Sequence, residues 1–571
     1  MDLQKVFKNI KTSDNVPDIN ISHITHDSRK LKKTGRDCLF VAVNGLDFDG
    51  HKFIGDAYQA GCRNFLVNSD RPVSPTSQGG QDELMNKYTD ANFIYVSDTQ
   101  KALPIIAKNF YNDPSSKLKL IGITGTNGKT TTAFAVFSCL QKLGKKVGLI
   151  GTIEYRIDSK IIPAPNTTPD ALFLNELMDQ MVKSGVEYLV MEVSSHALSL
   201  HRVDGLNFDV VAFTNFTQDH LDYHKTMDEY LQAKLRIFDL LVQSKKDNKI
   251  AIVNRDIREL RVKNYELRND DNVGVPLVGT RNAGQNYMEL SPLTGDHQLG
   301  WQFGQPQGCA PTNKIALRTT SLQDSDADYY VSKIDTSIFA SAFAPAGAMA
   351  DKKATTDKFI DVSEFILNTS AGNVSINIAM TGNCNVYNFT MAFAILSELG
   401  FAGKDIAQKL SGIEVKGRME SVKNNKGIGI IIDYAHTPDG LENLLNTIHE
   451  IVEPNKKIIT VFGAGGDRDK TKRPLMGEIA SKLSDFIIIT SDNPRTEDPM
   501  VIIEDIKTGI NDGRENCKVI EDRAEAIKQA LLWAKKGDII VIAGKGHEDY
   551  QIIGKEKHYF SDKKIICKLL S

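Results

Sequence analysis

Short apolar runs alternate with amphipathic segments along most of the chain. Runs at 118–124, 147–150, 188–193 and 210–214 have strand length, and after the first of them Phe134, Phe137, Leu140 and Leu143 recur at helical spacing, with Gly144 following as a C-cap. A later stretch, 227–241, places Tyr230, Leu231, Lys234, Leu235 and Phe238 on one helical face. Strands alternating with helices predict a parallel sheet covered on both faces. The alternation returns after Gly417, with strands expected at 428–433, 458–462, 486–490, 519–521 and 539–543, which predicts a second doubly wound sheet. Residues 1–112 hold shorter strand-like runs at 38–43, 64–67 and 93–96, and a polar insert, 71–90, reads as a mobile surface loop. From 264 to 361 the periodicity weakens, with mostly small residues at 341–350, and an elaborated sheet edge with long loops is expected there. No internal repeat or heptad array stands out.

The length, 571 residues, is too great for one core when a domain takes about 100 to 200 residues. The pattern divides it into three domains of an α/β protein: a smaller N-terminal α/β domain (1–114), a central doubly wound domain of the P-loop type (115–416) and a C-terminal Rossmann-like doubly wound domain (417–571). Hydrophobic residues make up 41%, charged ones 25%, and the net charge is −3, which argues against nucleic-acid or membrane-surface binding and for small-molecule partners. The first residues, MDLQKVFKNIK, have no apolar core of a signal peptide, and no run approaches the roughly 18 apolar residues of a membrane span, so a cytoplasmic protein, expected to be a monomer, is predicted. The cysteines, at 38, 62, 139, 309, 384, 517 and 567, lack CxxC spacing and are expected as free thiols that mostly pack in cores.

The turn between strand 118–124 and its helix carries the first chemistry. It reads Gly-Ile-Thr-Gly-Thr-Asn-Gly-Lys-Thr-Thr-Thr over 122–132. Glycines allow backbone N–H groups to approach an anion closely, and the helix start adds a favourable dipole. Lys129 can reach terminal phosphates and the Thr130 hydroxyl can hold Mg²⁺. Gly125, Thr126, Asn127, Gly128, Lys129, Thr130 and Thr131 are therefore candidates for nucleotide phosphates. Ile123 stands where the usual phosphate loop has its first glycine, which counts against an ordinary GTPase or kinase.

In open parallel sheets ligands sit beyond the carboxyl ends of strands. Glu192 ends strand 188–193 ahead of Ser194-Ser195-His196; it suits a metal ligand, and equally a solvated or capping carboxylate. Asp219-His220-Leu221-Asp222-Tyr223-His224, after strand 210–214, could bind metal or be a polar loop. Lys234 sits on the apolar face of its helix, where a buried ammonium is costly unless neutralised or paired, although it could also snorkel outward.

Taken together, TGTNGKTT (124–131), MEVSSHAL (191–198), DHLDYH (219–224) with Lys234, TGNCNVYN (381–388), GRME (417–420), DYAHTP (433–438), GGDRDKTKRP (465–474), DNPR (492–495) and GKGHE (544–548) resemble the Mur ligases. Within that family the chain is most similar to members that add the third peptide residue to UDP-N-acetylmuramoyl-L-alanyl-D-glutamate, and HDSRKLKKTGRDCLFVAVNG (26–45) is similar to their nucleotide-sugar domain. The insert at 71–90 and much of 264–361 lie outside the match. The resemblance implies ATP-dependent amide formation through an acyl phosphate, in bacterial cell-wall synthesis. It implies that Lys129 stabilises the transferring phosphoryl group, that Thr130 and Glu192 bind one Mg²⁺ and His220 a second, and that Lys234 carries a CO₂-derived carbamate, an oxygen donor suited to Mg²⁺. ATP would also be gripped by Asn385, Arg418, Asp433 and His436, with domain closure assembling the site. The UDP-sugar dipeptide would meet Ser28, Thr167, Thr168, Ser194 and Arg202. Leu200 stands where relatives often carry a glutamine that touches this substrate.

The same resemblance assigns Arg468, Asp492, Asn493, Pro494, Arg495, Gly544 and Glu548 to the incoming amino acid. Meso-2,6-diaminopimelate differs from lysine by a distal carboxylate, which the planar fork of Arg495 could hold by two charge-assisted hydrogen bonds, with Glu548 facing the distal ammonium. Alternatives are a lysine- or ornithine-adding ligase, a folylpolyglutamate synthetase, and a nucleotide-binding scaffold without ligase activity. DNPR and the DSR-containing N-terminal segment oppose the first two, and the set Lys129, Glu192, His220 and Lys234 opposes the last.

Overall fold

The structure, a computed structural model, describes residues 1–13, 15–31, 35–44, 49–69, 87–257, 287–289, 302–303, 315–335, 363–510 and 515–571. The expectations for 71–86 and 341–350 lie outside these residues. Two compact units divide the chain: Met1–Gly122, Lys145–Val211 and Ala233–Lys249 form the first, and Ile123–Gly144, Ala212–Gln232 and Ile250–Ser571 the second.

In the first unit, strands His23–Thr25, Cys38–Val41, Asn64–Asn68 and Asn92–Val96 pair in that order, all parallel. Their side chains alternate between two cores, as a period of two requires. Leu39, Val41, Leu66 and Ile94 pack with Val6, Leu103 and Ile106 on one face, and Cys38, Phe40, Phe65 and Phe93 with Ile54 and Ala57 on the other. Beyond helix Thr99–Phe110 a second sheet follows, ordered Lys119–Thr124, Tyr188–Glu192, Val147–Ile150, Glu154–Ile157, Lys160–Pro163. Tyr188–Glu192 and Val147–Ile150 are parallel, whereas the last two strands form an antiparallel hairpin. Helix Met227–Gln243 buries Tyr230, Leu231 and Phe238 as its pattern predicts.

In the second unit, helices Lys129–Lys142 and Asn383–Glu398 pack together. The second is buried on nearly every turn, through an apolar stretch from Met391 to Leu396 and through Asn385 and Asn388 nearer its start. Among the described residues of 264–361, Ile315–Ser321 runs parallel to Tyr329–Asp335; beyond that range Ser363–Thr369 pairs antiparallel with Tyr329–Asp335 and with Gly372–Ile378. The strands there are therefore mixed rather than parallel throughout, and the tight turn between Ser363–Thr369 and Gly372–Ile378 can join only antiparallel neighbours.

The C-terminal sheet orders Glu420–Ser421, Gly429–Asp433, Ile539–Ala543, Ile458–Phe462, Phe486–Ile489 and Cys517–Val519. All pairs but the first are parallel. Helices Pro438–Ile451, Lys472–Leu483 and Pro499–Lys507 cover one face through Leu441, Leu445, Ile448, Met476 and Ile503. Arg523–Trp533 and Asp562–Leu570 cover the other through Ala526, Ile527 and Ile566. The expected doubly wound sheet is present, with one strand displaced: 519–521 was the expected position, but the ladder uses Cys517–Val519. Beyond it the Glu521 carbonyl accepts from Ser491 N and Thr490 Oγ1 instead. Three sheets with their own helices give the three-domain α/β architecture.

Cys38, Cys62 and Cys139 are buried free thiols and half-buried Cys517 packs against the C-terminal core, but Cys384 and Cys567 are exposed, so the packing role expected of most cysteines holds for four of the six described. Among the described residues no helix is long and apolar enough to cross a membrane.

Candidate active site

Two glycines shape the loop after strand Lys119–Thr124. Gly125 has φ +145° and a Cβ there would stand 2.0 Å from Thr214 Oγ1; Gly128 has φ +81° and a Cβ would stand 2.2 Å from Asn388 Oδ1. Neither position admits a side chain. Gly128 also caps helix Lys129–Lys142, so that helix's unpaired first-turn N–H groups gather at the loop. Side chains lock the loop: Asn127 N donates to Asn215 Oδ1 at 2.7 Å, Asn127 Nδ2 to Asp439 Oδ2 at 2.7 Å, and Thr126 Oγ1 to the Thr217 carbonyl at 3.0 Å. Lys129 Nζ folds over it, donating to the carbonyls of Gly125 (2.9 Å) and Thr126 (2.7 Å). Thr130 and Thr131 are buried, and the Thr130 hydroxyl accepts from Arg418 Nη2 at 3.2 Å.

A cavity of about 440 Å³ adjoins this loop within the second unit, and Asn127, Gly128, Thr131, Asn385, Arg418, Asp433 and His436 all line it. Arg418 lies 4.6 Å over the ring of Tyr434, a cation–π contact. The Asp433 carboxylate accepts from Met419 N (2.7 Å) and Ala435 N (2.8 Å); burial pushes its pKa up, against the pull of Arg418. His436 Nδ1 is 2.8 Å from the Tyr434 carbonyl oxygen, so that nitrogen carries the proton and Nε2 is left as an acceptor. Burial, helped by the charge of Lys472, pushes the His436 pKa down to about 4, which keeps the ring neutral at pH 7. His220, with φ +55°, opens the short helix Leu221–His224, its Nε2 3.4 Å from Asp219 Oδ2. Burial opposes the charge on Asp219, but His220, Lys472 and His436 outweigh it and hold this carboxyl well below the usual carboxylate range.

The first unit collects a second group of expected residues. Glu192 is fully buried at the end of strand Tyr188–Glu192. Its Oε1 accepts from Thr152 N at 2.8 Å and its Oε2 from Thr152 Oγ1 at 3.0 Å, and that hydroxyl also meets Thr167 Oγ1 at 3.1 Å. Thr168 Oγ1 donates to the Glu192 carbonyl (2.8 Å) and accepts from Ser194 N (3.1 Å), while Arg202 Nη1 donates to the Thr168 carbonyl (3.0 Å). Ser194 caps helix Ser195–Ser199, accepting from Ala197 N at 3.1 Å, and Leu200 ends that helix. Lys234 is 1% exposed, so it points inward and does not snorkel. Ser28 lies in the short 3₁₀ turn Ser28–Lys30, capped by Asp27.

The remaining residues meet at the carboxyl ends of the C-terminal strands. Arg495 adopts φ +53°, donates through Nη1 to the Gly466 carbonyl at 2.7 Å and is tied by its own backbone to Ile552 and Gly554. Gly465 and Gly466 make room, since a Cβ on the first would lie 2.9 Å from Arg495 Nη1 and one on the second 1.9 Å from the Pro494 carbonyl. Burial, and then neighbouring Arg468, push the Arg495 pKa down. Gly544, φ +112°, brings its backbone against Asp492, where a Cβ would stand 2.4 Å from Oδ2. Asn493 Nδ2 donates to Glu548 Oε2 at 2.9 Å. The residues missed at the level of sequence are the ones that hold others in place: Asn215, Thr217 and Asp439 around the loop, Tyr434 under Arg418, and Lys545 between Asn493 and Glu548. Asn215 follows a strand end and Lys545 lies inside GKGHE, so position marked both, but no residue-type signal separates a support from a ligand.

Family models match the chain three times: "Mur ligase family, catalytic domain" over residues 20–111, "Mur ligase middle domain" over 123–297 and "Mur ligase, glutamate ligase domain" over 417–546. A UDP-N-acetylmuramoyl-L-alanyl-D-glutamate–2,6-diaminopimelate ligase of Caldanaerobacter subterraneus subsp. tengcongensis is 38% identical over 558 residues, covering 97% of this chain and 96% of that protein. The ligase of the same name, numbered 1, from Clostridium acetobutylicum is 38% identical over 577 residues, covering 100% and 99%. A solved structure of an enzyme with that name superposes with a TM-score of 0.59 at 27% identity, over 100% of this chain and 98% of the other. With three family models matched in order along it and relatives of 38% identity covering nearly its whole length, this protein belongs to the Mur ligase family.

Proposed function

We propose that this chain joins the α-amino group of meso-2,6-diaminopimelate to the D-glutamate side-chain carboxylate of UDP-N-acetylmuramoyl-L-alanyl-D-glutamate, with ATP cleaved to ADP and phosphate through an acyl phosphate. The observation that carries the acceptor assignment is the half-buried Arg495 guanidinium, anchored on the Gly466 carbonyl at 2.7 Å, in one pocket with Asn493 and Glu548. A cation kept in place there suits a second carboxylate on the acceptor, which lysine and ornithine lack. The names of the relatives agree with this substrate.

The cavity beside the phosphate loop suits ATP, with neutral His436, Asn385, Arg418 and Asp433 around the nucleotide and the loop amides and Lys129 at its phosphates. In this reading the buried carboxylate of Glu192 and the buried hydroxyl of Thr130, hard oxygen donors of the kind magnesium takes, bind one Mg²⁺ and His220 a second, with a carbamate on Lys234 as a further oxygen donor. Bound magnesium would screen the two anions that must meet when the substrate carboxylate attacks the γ-phosphate. Lys129 then has an electrostatic task, balancing charge on the phosphoryl group as it moves. Carbamylation would turn the buried Lys234 from a cation into an anion, which fits a helix face directed inward. Thr167, Thr168, Ser194 and Arg202, joined by the hydrogen bonds around Glu192, hold the muramoyl dipeptide, and Ser28 its uridine end. Domain limits at 114/115 and 416/417, a monomer and a cytoplasmic location, where ATP and nucleotide-sugar precursors are available, belong to the same reading.

An acceptor panel tests it. Purified protein with ATP, Mg²⁺ and the UDP-dipeptide should form ADP and tripeptide with meso-diaminopimelate and discriminate against lysine on the order of 10⁴-fold, since lysine leaves Arg495 unpaired. Comparable rates with the two acceptors would remove Arg495 from selection, and absence of ADP with every acceptor would remove the ligase reading.

A further inference from the structure

Lys545 is a lysine with no exposed side-chain surface, placed among the residues assigned above to the acceptor. Its Nζ donates to Asn493 Oδ1 at 3.1 Å and to Glu548 Oε2 at 3.1 Å, and lies 3.8 Å from Asp492 Oδ1. The Ile552 N–H also donates to Asn493 Oδ1, at 2.9 Å. Two donors on that oxygen fix which way the amide faces, so Asn493 Nδ2 points to Glu548 Oε2. Glu548 is thus held by one oxygen. Among the described residues its Oε1 accepts a hydrogen bond only from the Tyr434 hydroxyl, at a long 3.4 Å.

Resting on the acceptor assignment above, we propose that Lys545 is a positioning residue for acceptor choice: it neutralises one of the pocket's two carboxylates and binds Glu548 through Oε2, so that ionised Oε1 is presented to the acceptor's distal ammonium. Without an internal cation, Asp492 and Glu548 would be two buried like charges, and one would take up a proton. Burial already pushes the Glu548 carboxyl up, Asp492 adds to this, and Lys545 is the main influence pulling it down. The other charged or titratable groups that act on this site are Arg495, Arg523, Tyr434 and Tyr550, with His436 acting on Asp492. Against that net upward push, Lys545 favours the ionised form of Glu548, the form that recognises an ammonium and rejects an acceptor lacking one.

The test is steady-state kinetics of the full chain from about pH 5.5 to 9, varying each substrate, for wild type, Lys545→Met, Lys545→Arg and Glu548→Gln. Lys545→Met should raise the KM for meso-diaminopimelate roughly tenfold or more, leave the KM of ATP and of the UDP-dipeptide in place, and move the acidic limb of kcat/KM for the acceptor to higher pH, because Glu548 then protonates earlier as pH falls. Lys545→Arg, which keeps the charge, should hold the limb near its wild-type position. Glu548→Gln should abolish the limb. An unmoved limb in Lys545→Met, an equal shift in Lys545→Arg, or a wild-type limb in Glu548→Gln would each overturn the proposal; the last stands even if Lys545→Met does not fold. Failure of the wild type to use meso-diaminopimelate would instead overturn the acceptor assignment.

Discussion

At Lys234 a single side chain separates two kinds of chemistry. An ammonium that is 1% exposed is expensive to desolvate, whereas a carbamate there would be an anion able to share a magnesium ion with other oxygen donors. Lys234→Ala should therefore lower turnover by at least about 10³-fold, the scale of losing a preorganised charge at a reacting centre, while the melting temperature changes little. Short-chain carboxylic acids supplied with the variant should restore part of the rate, and undiminished turnover in Lys234→Ala would exclude the residue from the reaction. Gly125 and Gly128 make the complementary point. Their role is to lack a Cβ, because Thr214 and Asn388 occupy the space where one would go.

At the scale of elements, caps decide where helices begin and so where functional turns lie. Asp170 takes Leu172 N and Phe173 N at 3.1 Å each and starts helix Ala171–Lys183 two residues after Thr168, whose hydroxyl is bonded to the Glu192 carbonyl. Asp170→Ala should cost about 1 kcal/mol of stability and raise the KM for the UDP-dipeptide more than that for ATP. Thermal melts and substrate titrations read the two effects separately, and equal changes in both KM values would sever the cap from the Thr168 turn. Elements also explain the miss in the C-terminal sheet. The run Val519-Ile-Glu521 has strand composition, but sheet membership is set by a partner's register, and Ile487–Ile489 pairs with 517–519.

At the scale of the molecule, charge networks join parts that are distant along the chain. Glu497 accepts from both guanidinium arms of Arg473, at 2.9 and 3.1 Å, and from Asp467 N at 2.6 Å, which binds the turns around DNPR and GGDRD to helix Lys472–Leu483. Arg473 holds the Glu497 carboxyl down to about 2 from an ordinary 4.5. A depressed carboxyl stabilises the fold fully above its unfolded pKa and loses that contribution as pH falls towards the folded one. The melting temperature should thus drop between about pH 4.5 and 2 through this group, and Glu497→Gln should melt lower at pH 7 with a shallower acid slope. An unchanged acid slope in the variant would assign the loss to other carboxylates.

Much of the protein was legible in its residues alone. Strand and helix periods revealed two doubly wound sheets, glycine placement marked the phosphate loop, and motif spacing carried the family, because those features depend on local geometry and on chemistry repeated within a few residues. Tertiary structure decided the rest. It introduced antiparallel pairing at the 154–163 hairpin in the first unit and among Tyr329–Asp335, Ser363–Thr369 and Gly372–Ile378 in the second, since strand direction depends on how connections pack. It buried Lys234 and Lys545 while leaving Cys384 exposed, since burial is a property of neighbours and not of residue type. It also showed which side chain holds which: Asn493 and Lys545 come from different motifs of similar polarity, both donate to Glu548, and Lys545 also donates to Asn493.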